Sequence, residues 1–134
     1  MQPYIAAPIS PELAAEMESV LERIRTADRP EDHRQAGVEL IIRLTEECLD
    51  YYFLRSVEVL GLGKLTLQAT RMGLKTASSG IAMFVRRAGK SMTAEQILQL
   101  TDMVEELVLE VPDADDEAAA DETIEGEESA EAGP

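Results

Sequence analysis

Residues 71–90 read RMGLKTASSGIAMFVRRAGK: five Lys or Arg, three Gly and no acid, in a chain of formal net charge −15. At about 100° per residue, the stretch and its upstream neighbours sort into one amphipathic helix over 64–88. Lys64, Arg71, Lys75, Arg86 and Lys90 share an arc of about 100°, with Arg87 just outside it. Leu67, Thr70, Leu74, Ala77, Ile81, Phe84 and Ala88 fall on the other side at alternating spacings of three and four, a heptad-like seam. Ala69, Gly73, Ala77 and Gly80 flank that seam, and small residues let a second helix approach closely. Close helix packing therefore explains the glycines.

Upstream, Gly61 and Gly63 end the preceding helix, because glycine disfavours helix interiors and readily adopts the left-handed cap. That helix is expected over 30–60, opened by Pro30-Glu31-Asp32. Val38, Ile41, Ile42, Thr45, Cys48, Leu49, Tyr52, Phe53, Val57 and Leu60 form its broad apolar face. Leu40, Leu44, Tyr51 and Leu54 lie elsewhere on it, an excess that predicts burial by a second chain. Ser10-Pro11-Glu12 starts a first helix over 10–27, and Thr93-Ala94-Glu95-Gln96 is a capping box that starts a fourth over 93–111.

The expected fold is all-α: an antiparallel bundle of about four helices at 10–111, after a flexible N-terminus at 1–9. Only 4% of residues are aromatic and Trp is absent, so the core rests on Leu, Ile, Val, Met and Ala. No stretch sustains strand-like alternation. Residues 112–134 hold ten acids and no aromatic residue, a composition that predicts a disordered acidic tail.

Charge is segregated along the chain. Residues 1–60 hold 12 acids and 6 bases, residues 61–93 no acids and 6 bases, and residues 94–134 15 acids and no bases. The basic arc is expected to face solvent, to pair with acids of the fourth helix or the tail, or to receive an acidic partner. Nucleic acid is the second candidate, through backbone contacts and with the tail masking the helix. The overall negative charge and the scarcity of Asn, Gln and aromatics there argue against it.

The usual catalytic patterns fail. Gly61-Leu62-Gly63-Lys64-Leu65-Thr66 is not a phosphate loop, since Glu58 and Leu65 stand where Gly and Ser or Thr are required. It is not a dinucleotide fingerprint either, since Thr66 holds the third glycine position. His33 is the only histidine and belongs to no metal-binding spacing. Cys48, the only cysteine, lies about 22 Å along the helix from His33, so the two meet only across two chains. Glu46-Glu47 and Glu105-Glu106 are sequence neighbours pointing apart, not carboxylate dyads.

The expectation is a non-enzymatic helical protein-interaction module with no catalytic residue, cofactor or metal. Its partner is a protein, acidic or helical, and the chain forms a homodimer or another homo-oligomer. Lys64, Arg71, Lys75, Arg86, Arg87 and Lys90 are the candidate charged contacts. Tyr51, Leu54 and Phe84 are the apolar ones, with Phe84 also a core candidate. No signal-peptide pattern opens the chain, and the uncharged run Thr76–Val85 is too short to cross a bilayer. A cytoplasmic protein is therefore expected.

Overall fold

A computed structural model describes residues 2–109. The acidic tail expected over 112–134 lies outside the described residues. Four helices run in order: α1 at Pro11–Thr26, α2 at Arg34–Val59, α3 at Lys64–Gly89 and α4 at Ala94–Leu107. Among the described residues no strand occurs, so the chain is an all-α helical bundle. Residues up to Val104 form one compact unit.

Local chemistry accounts for most of the boundaries. Ser10 accepts the Leu13 N–H at its hydroxyl and caps α1, while Pro11 takes the first helical position. The Ser10 N–H and hydroxyl donate to the Glu47 carboxylate at 2.8 and 2.7 Å, so the cap also clamps α1 onto α2. Gly61 and Gly63 sit at φ of +62° and +89°, where a side chain is strained, and they turn the chain between α2 and α3. At the start of α4 the Thr93 N–H donates to the Gln96 side chain and the Gln96 N–H to the Thr93 hydroxyl, closing the expected capping box.

The start of α2 differs from expectation. Pro30–His33 form a single 3-10 turn, and α2 begins at Arg34. Pro30 opens the turn, and no side chain caps the next residues as an α-helix N-terminus. At the other end of the chain, α4 stops at Leu107, short of the expected 111.

The core sits where α1 and α4 meet over the first half of α2. Leu13, Ile24, Leu40, Ile97 and Val104 are fully buried. A Cβ on Gly37 would meet Ile24, Ile97 and Leu100 at 3.5 Å each, so this glycine lies beneath both helices. Leu40 shares its face of α2 with Arg43, which pairs with Glu16 of α1, and with Glu47. This corrects the expectation that Leu40 needs a second chain: α1 buries it. Leu44 and Leu54 are half-buried, and of that set only Tyr51 is exposed.

α2 and α3 are 26 residues each, about 39 Å long. They form an antiparallel hairpin that extends past α1 and α4, which have 16 and 14 residues. Near the core end, Val38 and Ile42 pack with Ala82, Val85 and Met92. There Gly89 meets Val38 so closely that a Cβ would lie 2.2 Å from Val38 Cγ2. Among the described residues, no helix is long and apolar enough to cross a membrane.

Candidate functional site: the two sides of the α2–α3 hairpin

The buried face of α3 is not the heptad seam. Leu67, Thr70 and Leu74 turn inward as expected, but beyond them Ser78, Ala82, Val85 and Gly89 do so. Ala77, Ile81, Phe84 and Ala88 are exposed instead, which corrects the placement of Phe84 in the core. A straight α-helix advances 3.6 residues per turn, so a strict seven-residue seam drifts off the contact line. The inward face is rotated toward the basic arc, and the exposed apolar residues are those farthest from it.

The rotation brings the basic arc against acids of α2. Facing residues lie equally far, to within one residue, from the turn at Leu62. Arg86 meets Glu39 through two hydrogen bonds, Nε to Oε1 at 2.7 Å and Nη2 to Oε2 at 3.0 Å. Those bonds hold the Glu39 carboxyl below its ordinary value, against a smaller upward push from burial. They hold the Arg86 guanidinium above its own ordinary value. Farther out, Glu46, Asp50, Arg71, Lys75, Ser78 and Ser79 line an open groove of about 470 Å³, together with Leu54 and Leu74. Arg86 thus pairs with an acid of α2, and Arg71 and Lys75 share a groove with two more, while the rest of the arc faces solvent; a pairing with the tail lies outside the described residues. Arg71 and Lys75 form no ion pair with described residues, nor do Lys64, Arg87 and Lys90, all of which are exposed.

The other side of the hairpin is apolar. On α2 the helical wheel places Leu49, Tyr52, Phe53 and Leu60 on the same stripe as buried Val38 and Ile42. On α3 it places Ala77, Ile81 and Phe84 on that side, away from Arg71 and Lys75. The stripe is covered where Val85 and Met92 reach it and is open beyond them. Tyr52 is 36% exposed, Phe53 53%, Leu60 68% and Phe84 73%. Tyr51 and Tyr52 make an edge-to-face pair with ring centroids 5.5 Å apart. Partial burial pushes the Tyr52 phenol up, and Cys48 and Tyr51 add to the shift.

The candidate residues therefore divide. Arg71, Lys75 and Leu54 come together in the charged groove, with Arg86 farther along the same side. Phe84 lies on the opposite, apolar side, and Tyr51 stands beside Tyr52 on α2. Tyr52, Phe53 and Leu60 joined the broad α2 face in sequence reasoning but were not singled out for binding. Their signal is the continuation of the Val38–Ile42 stripe beyond the reach of any shorter helix. Glu39, Glu46 and Asp50 were also missed, although folding the chain at Leu62 aligns them with Arg86, Ser79 and Lys75.

A Cβ on Gly73 or Gly80 would meet nothing within 4 Å, so the close approach expected of them is not made among the described residues, whereas Gly89 makes one. Cys48 is half-buried and free. Among the described residues, no three His, Cys, Asp or Glu side chains gather around a common metal position. No known family model, no curated protein and no solved structure matches this chain.

Proposed function

We propose that the protein is a non-enzymatic helical interaction module that binds another protein through the apolar side of the α2–α3 hairpin. The observation that carries this reading is the open stretch of an otherwise buried stripe. Tyr52, Phe53 and Leu60 continue the line of Val38 and Ile42 into solvent, and Phe84 of α3 is exposed about 20 Å along the hairpin from Phe53. Aromatic side chains in such a patch supply large contact area at low entropic cost, as binding hot spots do. The basic arc serves this reading as a structural face. Glu39, Glu46 and Asp50 on its own groove weaken its attraction for a nucleic-acid backbone or an acidic peptide.

A photo-crosslinking residue at position 84 or 53, introduced into the full chain in cells, tests the proposal. Discrete crosslinked species are expected from both positions and not from exposed Arg23 on α1. Crosslinks that are absent at 53 and 84, or no different from those at 23, refute it.

A further inference from the structure

Resting on that reading, we infer that the occupant of the apolar side is a second copy of this chain, docked through α3 about a two-fold axis beside residues 76–77. Three observations converge on this geometry.

The face is long and free of acids. Ala69, Gly73, Ala77, Gly80 and Phe84 are all exposed and share an arc of about 80° on α3. The arc of Arg71, Lys75 and Arg86 points the other way; exposed Arg87, at the same angle as Ala69, stands at the end of the face, opposite Thr66 of the second copy in this register. Residues 2–109 hold 16 acids and 12 bases, a net charge of −4 out of the −15 of the whole chain.

The face is also self-complementary, as a two-fold interface requires. In an antiparallel α3 pair centred beside residues 76–77, Gly73 stands opposite Gly80 of the second copy, and Phe84 stands opposite its Ala69. The phenyl ring fills the notch left by a small residue, and the crossing falls beside Thr76 and Ala77, between the two pairs of opposed glycines. Exposed glycines in a helix interior cost about 1 kcal/mol each relative to Ala. Among the described residues nothing approaches Gly73 or Gly80 to offset that cost.

The area suffices. At about 200 Å² per aromatic side chain, the exposed fractions of Tyr52, Phe53 and Phe84 leave on the order of 300 Å² open. Leu60, Ile81 and the small residues of α3 bring the open apolar area, spread along about 30 Å of the hairpin, to roughly 700 Å², close to the ~800 Å² per partner of a standard interface. Each hairpin would supply two helices to a four-helix arrangement across the axis.

Light scattering on the purified full chain over a dilution series tests the inference. The expected mass is twice 14.7 kDa at high concentration. Gly80→Leu and Phe84→Ser should each weaken dimerisation about tenfold or more, with helical circular dichroism retained. Arg71→Glu with Lys75→Glu, on the other side of the hairpin, should leave it within about twofold. A mass of 14.7 kDa throughout the series overturns the inference, as does a dimer unaffected by Gly80→Leu and Phe84→Ser. The crosslinks at positions 53 and 84 separate the two failures. If they join this chain to a different protein while it scatters as a monomer, the interaction module stands and the second copy does not. If no crosslinks form, both fall.

Discussion

Replacing Gly89 with Ala reports most sharply on how α3 is seated, because the same seating decides which face of α3 is left outside. The added Cβ would lie 2.2 Å from Val38 Cγ2, well inside van der Waals contact. Val38 is buried and β-branched, with little rotamer freedom in a helix, so the methyl cannot swing aside at low cost. Overpacking of this kind costs about 1–3 kcal/mol. Against it stands a helix-propensity gain of at most about 1 kcal/mol, reduced at the last residue of the helix. The net expectation is a loss of about 1–2 kcal/mol. In urea unfolding at fixed protein concentration, that lowers the midpoint by about 0.5–1 M without changing the slope. Val38→Ala alone should also destabilise, by lost burial. In the Val38→Ala background, however, Gly89→Ala should become neutral or stabilising, giving a coupling of about 1 kcal/mol or more. A Gly89→Ala protein as stable as the parent, or an additive double mutant, refutes the close seating of α3 on α2.

Ser10→Ala removes a helix cap and the hydroxyl's hydrogen bond to Glu47, while the backbone N–H keeps its own bond to that carboxylate, and should cost about 1–2 kcal/mol in the same urea assay. Leu40→Ala should cost about 2–5 kcal/mol, whereas Tyr51→Ala, which loses an edge-to-face pair at a partly covered site, should cost about 1 kcal/mol when measured on monomer. Glu39→Gln should destabilise slightly at neutral pH. The Glu39 carboxyl is held below its ordinary value, so its contribution is present above the unfolded value and fades as pH falls through the folded one. The gap between the two proteins should therefore close in acid-range thermal melts. A gap that widens on acidification contradicts the Arg86 pairing.

Where local chemistry decides, the sequence was sufficient. Ser10-Pro11, Gly61 with Gly63, and Thr93 with Gln96 each mark a helix end through a hydrogen bond or a backbone conformation peculiar to those residues. What escaped was tertiary. Leu40 looked surplus because no local rule reveals that α1 lies along its face. Phe84 looked buried because a seven-residue seam and a 3.6-residue turn agree over one heptad and part company over three. The contact that resolves them, Gly89 on Val38, joins residues far apart in the chain. The charged groove was half legible: the basic arc emerged from the wheel of α3. Its acidic counterpart on α2 emerges only when the chain is folded at Leu62 and both helices are read in antiparallel register.

The two-fold contact through α3 is tested most directly by disulfide trapping. With Cys48 replaced by Ala, a cysteine at Ala77 lies beside the proposed axis, where two copies bring their Cα atoms within bridging reach. A cysteine at Ser79 lies on the charged side of the hairpin. Under mild oxidation, the Ala77→Cys chain should convert to a covalent dimer much faster than the Ser79→Cys chain. Equal conversion at the two positions, or faster conversion at Ser79, would contradict the account.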